Sequence, residues 1–227
     1  MEITDEQLRA NLASVQKRIS DVCQRAGRNP SEVKLIAVSK TKPVHDIEVL
    51  REAGQLSFGE NYVQEIRAKH DILKDSVEWH MIGHLQRNKV KYLIDEVSMI
   101  HSVDTIALAE QIEKEAAKKN RTMDILMEVN IAREETKWGF LEEEAEHTAE
   151  EIAAFSHLHL KGLMTSAPIT DNSETNRVYF RAMRELAEKI SERQIPCASM
   201  DTLSMGMTRD FEAAIELMAA HSPSIAS

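Results

Sequence analysis

The sequence predicts an α/β fold, a TIM-barrel-like (β/α)8 arrangement forming a single domain over residues 1–227. Three observations predict it. Short apolar segments alternate with amphipathic segments of helical length, the pattern of right-handed βαβ units around a parallel sheet. No G-x-G-x-x-G or P-loop motif occurs, and only 7 glycines are present, which argues against an open doubly wound sheet built to cradle a nucleotide. The 227 residues also approach the roughly 250 of such a barrel, with no linker or low-complexity run to divide them.

The elements follow in order. Leu8, Leu12, Val15, Ile19 and Val22 fall on one face of a leading helix over 4–26. Thr4 is its N-cap, Gln7 completes a capping box, and Gly27 and Pro30 stop it. A strand over 33–39 comes next. Strand–helix alternation then continues: helix 44–54, strand 55–61, helix 62–73, strand 78–84, a short helix 86–94, strand 98–104, helix 105–120, strand 122–130, helix 142–155, strand 160–166, helix 173–190, strand 202–206 and helix 209–220. That makes seven strands, one short of a closed barrel.

The net charge of −10 repels phosphate backbones and makes nucleic acid an unsuitable general partner. Arg87, Lys89 and Lys91 run against that balance and read as a solvated helix face or, more sharply, an anion or partner site. Two cysteines without C-x-x-C spacing fit a reducing compartment. An acidic, polar N-terminus and the lack of any long apolar run give no secretory signal and no membrane span, so the expected location is the cytoplasm.

The strand ends carry the polar residues. They close in Ser39-Lys40, Glu60-Asn61, Gly83-His84, Asp104, Asn130, Thr165-Ser166 and Ser204-Met205-Gly206. In a parallel barrel these ends converge on the ligand-binding face. Any one of them could be polar only because loops are wet; seven together with a lysine favour a site. A lysine at a strand tip inside a barrel mouth is partly withdrawn from water, which favours the free amine and attack on a carbonyl. Chemistry alone leaves pyridoxal phosphate, an aldolase-type keto sugar or a plain surface lysine beside a turn proline. Lys42, tied to Pro43, belongs to the loop. The pairs His80/His84 and His157/His159 lack metal-ligand geometry and read as structural, so no metal is expected. No G-x-S-x-G occurs, and nucleophilic hydrolysis has no support.

The segments "LIAVSKTKP", "FGENYVQE", "WHMIGHLQRNKVKYL", "IHSVD", "MEVNIA", "KWGF", "KGLMT" and "LSMGM", in this order, closely resemble the pyridoxal phosphate homeostasis proteins, from about residue 5 to about 216. The resemblance implies a fold-type III pyridoxal phosphate barrel like the N-terminal domain of alanine racemase. It implies the cofactor bound as a Schiff base to Lys40, with Ser204 on its phosphate. Asn61 and Met205 complete the candidate cofactor-binding set. The implied role is non-catalytic: buffering of the cofactor and delivery to apo-enzymes by a monomeric chain lacking the second, β-rich domain of the racemases. A racemase-like enzyme is the alternative.

The tail departs from the family pattern "AAIxxGSTxVRIGTxIFG", which supplies the eighth strand, an arginine facing the pyridine ring and a Gly-Thr phosphate contact. Here Met218, Pro223 and Ile225 stand where glycine, arginine and glycine belong, as in a truncated or frame-changed tail over 217–227. The expectation is therefore an open barrel with unpaired edges on the first and seventh strands, a frayed helix 210–220 and weakened cofactor binding.

Overall fold

A computed structural model describes residues 3–170, 172–218 and, for the backbone, 224–226. The chain opens with α1 (Asp5–Ala26), capped as expected: Gln7 N donates to Thr4 Oγ1, and Thr4 N donates to Gln7 Oε1. Gly27 ends it at φ 67°, a left-handed value suited to glycine. The first strand comes in two pieces, β1 (Val33–Leu35) and β2 (Ala37–Val38), broken at Ile36. Then follow α2 (Val44–Glu52), β3 (Ser57–Glu60), α3 (Val63–Leu73), β4 (Glu78–Met81), β5 (Met99–Val103), α4 (Ile106–Lys118) and β6 (Met123–Glu128). The chain continues through α5 (Ala145–Ala153), β7 (Leu158–Met164), α6 (Arg177–Glu192), β8 (Ala198–Ser204), α7 (Phe211–Leu217) and β9 (Ser224–Ala226).

All strand pairs are parallel, in the order β1-β9-β8-β7-β6-β5-β4-β3-β2. Because β1 and β2 are two halves of one strand, this order is a ring. The expected open edge is thereby corrected. β9 pairs with β1 (Lys34 with Ile225) and with β8 (Ser204 with Ile225), so a three-residue strand spans the gap. Strand propensity is low there, but two flanking strands with unpaired N–H and C=O groups outweigh it. Helix α7 is regular through Leu217, and Met218 is buried against the core. The rest of the expected fraying, and Pro223, lie outside the described residues.

Two other boundaries differ from the sequence reading. Residues 86–94 form a 3₁₀ stretch, Arg87–Tyr92, rather than an α-helix. Strands β7 and β8 begin earlier than expected, and their register shifts between Leu160 and Gly162. Gly162 has φ 154°, and a Cβ there would come within 1.8 Å of the Thr202 carbonyl, so the shift needs glycine.

The alternation of strand residues sorts the core. Phe58, Trp79, Met81, Ile100, Ile125, Met127, Leu163 and Leu203 face outward and pack with the helices in the main cluster. Fully burying each such side chain stabilises the fold by about 1.5–3 kcal/mol. Ile36, Met99 and Leu126, with Met164, fill the barrel interior. The stripe of α1 buries Ile19 and Val22 against Phe211 and Ile215 of α7, so the leading helix closes the seam beside β1.

Candidate functional site

At the C-terminal ends of the strands lies a cavity of about 330 Å³. Val38, Ile82, Met164 and Ala167 give it an apolar wall; Thr165, Ser166, Ser204 and Thr208 give hydroxyls. The four residues singled out from sequence, Lys40, Asn61, Ser204 and Met205, all line it. Lys42 does not; its amide closes a turn by donating to the Ser39 carbonyl. Among the described lining residues Lys40 is the one cation.

Lys40 follows β2 after Ser39, and it is exposed. That corrects the expected desolvation of its amine: the strand tip carries the lysine to the rim, not into the barrel. What is buried is the support beneath it. Lys69 of α3 donates to the Ser39 carbonyl (2.8 Å), Glu60 Oε1 (2.6 Å) and Glu65 Oε2 (2.7 Å). Ser39 Oγ donates to Glu60 Oε1 at 2.8 Å, and Thr41 N donates to Glu65 Oε2 at 2.7 Å. Burial pushes the Glu65 carboxyl up, but Lys69 and the Thr41 amide outweigh it and hold it below its usual range. Thr41 sits at φ 63°, an uncommon value for a β-branched residue that these anchors hold in place. The backbone on both sides of Lys40 is thus pinned while its amine stays accessible.

Across the cavity Ser204 ends β8 and points into the barrel. Its Oγ lies 2.9 Å from His101 Nδ1, and His101 Nε2 lies 3.0 Å from His80 Nδ1. Both imidazoles are buried, and burial pushes both below the ordinary histidine range, so they are neutral at pH 7. No helix begins directly after Ser204. Helix α7 starts at Phe211, has 7 residues, and is preceded by Asp210, whose Oδ1 accepts from Met207 N and Oδ2 from Asn176 Nδ2 (both 2.6 Å). Met205 borders the cavity, and it is buried in the main core cluster.

The donor set fits a phosphorylated aromatic aldehyde. An accessible primary amine stands on the rim, hydroxyls lie opposite and an apolar wall lies between them. Asn61 Oδ1 is buried with no hydrogen-bond partner, an acceptor that a ligand hydroxyl would satisfy. Gly83 lets the Asn61 backbone approach: a Cβ there would come within 2.6 Å of Asn61 Cα.

Known proteins resemble this chain in sequence, and solved structures resemble it in architecture. The family described as "Alanine racemase, N-terminal domain" matches residues 10–222. The pyridoxal phosphate homeostasis protein of Aquifex aeolicus is 44% identical over 206 residues, 90% of each chain. The chain belongs to the pyridoxal phosphate homeostasis protein family. A crystal structure of an unknown protein from Bifidobacterium adolescentis superimposes with a TM-score of 0.91 at 30% identity, covering 100% of this chain and 96% of that one. PipY of Synechococcus elongatus, solved with PLP bound, superimposes with a TM-score of 0.78 at 29% identity, covering 93% of this chain and 96% of that one.

Sequence reasoning missed the residues beneath the rim. The family motif "FGENYVQE" contains Glu60, yet nothing in the spacing shows that Lys69 reaches back to it. His80 and His101 lie 21 residues apart, and only the ring of strands brings them together. A signal existed: both are polar residues at inward positions of otherwise apolar strands. No helix among the described residues is long and apolar enough to cross a membrane, and no group of metal-ligating side chains occurs among them. Cys23 is buried and Cys197 exposed; both are free.

Proposed function

We propose that this chain binds pyridoxal 5'-phosphate in the mouth cavity, held as a Schiff base on Lys40, and serves in the buffering and delivery of that cofactor inside the cell. The observation that carries the reading is the meeting of Lys40, Asn61 and Ser204, from three different strand ends, around one cavity. A relative solved with PLP bound supports it. The cofactor supplies an aldehyde for the amine and a dianionic phosphate. Lys40 Nζ would bond to the first, the Ser204 hydroxyl would donate to the second, and Asn61 Oδ1 would accept from the ring hydroxyl.

A carrier role suits the ionisable inventory. Racemisation needs an acid and a base on opposite faces of the reacting carbon. Among the described lining residues only Lys40 and Asp210 can ionise readily, and the Asp210 carboxylate already accepts from Met207 N and Asn176. Lys40 at the rim is also open to a competing amine, which suits loading and release.

The test is transfer. Protein loaded with pyridoxal phosphate is desalted and mixed with the apo-form of a pyridoxal-phosphate enzyme. Recovery of that enzyme's activity faster than from the same amount of free cofactor behind a size filter supports delivery. Single L-amino acids incubated with the loaded chain should give no D-enantiomer; steady formation of one would replace the carrier reading with a racemase.

A further inference from the structure

The path from Ser204 into the barrel does not stop at His101. His80 Nε2 is buried without a hydrogen-bond partner and faces Glu78 Oε2 at 3.8 Å, too far for a hydrogen bond but close for a charge. Glu78 Oε2 accepts from Lys34 Nζ (2.5 Å) and Ser57 Oγ (2.8 Å). The line Ser204–His101–His80–Glu78 therefore crosses the barrel from the cavity to its opposite end. The titratable or charged groups acting on His80 are Glu78 of its own strand β4 and Lys34 of β1; those acting on His101 of β5 are His80 and Lys34. Ser204 of β8 is the neutral partner at the cavity end.

Neutral imidazoles carry one N–H each, so the line has a direction. With His80 Nε2–H facing the Glu78 carboxylate, His80 Nδ1 must accept from His101 Nε2–H, and His101 Nδ1 must accept from the Ser204 hydroxyl. Ser204 then points its proton away from the cavity. An anion in the cavity needs that proton reversed. Reversing it with both rings neutral sets the His80 Nε2 lone pair against a carboxylate. Adding one proton avoids this. Ser204 gains a proton from solvent or from a phosphate monoanion and passes its original one to His101 Nδ1. The His101 Nε2 proton then moves to His80 Nδ1. The end state has Ser204 O–H donating into the cavity, His101 N–H donating to Ser204, and a cationic His80 between His101 and Glu78; one proton has been taken up.

We propose that His101 and His80 are positioning residues for Ser204, and that an anion held by Ser204 draws one proton onto His80. This rests on the reading of Ser204 as a phosphate contact. The histidines touch no ligand themselves; they set which way the hydroxyl points.

The test compares pyridoxal phosphate with pyridoxal, both read by absorbance, between pH 7 and 9, where the phosphate is already dianionic. The ratio of the two affinities cancels the titration of the Lys40 amine, common to both. In the parent protein this ratio should fall with rising pH, by up to about tenfold per pH unit for one coupled proton. In His80→Gln it should be flat. In the parent, the His80 side-chain nitrogen resonances should shift to imidazolium values on adding pyridoxal phosphate and stay neutral with pyridoxal. A flat ratio in the parent, or resonances that stay neutral with both ligands, overturns the proposal. Ser204→Ala separates the two readings. If it weakens both ligands equally, the phosphate assignment itself fails. If it weakens pyridoxal phosphate selectively while parent and His80→Gln share one slope, only the proton coupling fails.

Discussion

At the Lys40 end of the cavity charges fix the backbone, whereas at the Ser204 end neutral rings fix a side chain. Lys69, Glu60 and Glu65 pin Ser39 and Thr41 on either side of a lysine that is itself exposed. His101 holds the Ser204 hydroxyl directly, and only 4% of Ser204 is exposed. The proposed function gives each end a different task, and the difference suits those tasks. A nucleophilic amine that loads and releases a carbonyl must remain in reach of solvent, so rigidity is built into its neighbours. A hydroxyl that meets a phosphate gains from having its oxygen held in one place, because an ordered group loses less entropy on binding.

Breaking the charged clamp should have the largest effect. Lys69→Met leaves Glu60 buried and without its cation, and should cost about 3–5 kcal/mol of unfolding free energy by denaturant titration. Adding Glu60→Leu should recover part of that loss, since removing both partners avoids the unpaired charge. A single variant as stable as the parent would show that the clamp holds nothing.

Glu128, at the end of β6, sharpens the contrast between a buried carboxylate with a cation and one without close pairing. Burial, and next the Asp104 carboxylate, push its carboxyl up to about 7, with Lys137 opposing. A folded-state value above the unfolded one means that the native chain holds this proton more tightly. Stability from this group is therefore full below about pH 4.5 and is lost as pH rises through about 7. Glu128→Gln should raise stability by roughly 3 kcal/mol at pH 8 and change it little at pH 5. Equal effects at both pH values would place the shift elsewhere.

At the neutral end, if Ser204 holds the phosphate as proposed, Ser204→Ala would remove one hydrogen bond to a charged group, about 1.5–3 kcal/mol. Affinity for pyridoxal phosphate should fall by about ten- to a hundredfold, and affinity for pyridoxal much less. Equal losses would mean that Ser204 does not meet the phosphate.

Much of this was legible in the sequence, and the reason differs from element to element. Helix α1 was readable to within a residue because its stripe, capping box and terminal glycine all act locally. The strand ends were readable because parallel strands in a barrel must place them on one face, which is why Lys40, Asn61 and Ser204 meet as expected. What failed depended on contacts distant in sequence. The tail looked like a poor strand by propensity, yet the gap between β1 and β8 supplies partners for 224–226. The exposure of Lys40 depends on where the loop after β2 turns, and that is set by Lys69, 29 residues on, through its bond to the Ser39 carbonyl. The His80–His101 contact needs the register of two strands, which no local pattern encodes.

The central claim is that the exposed Lys40 amine, on its pinned strand tip, is the attachment point for the cofactor. The direct measurement is peptide mass spectrometry after incubation with pyridoxal phosphate and borohydride reduction, on the parent chain, Lys40→Ala and Lys42→Ala. The structure predicts a pyridoxyl group on the Lys40 peptide of the parent, its loss in Lys40→Ala, and its retention in Lys42→Ala. Labelling that survives Lys40→Ala and disappears in Lys42→Ala would contradict it.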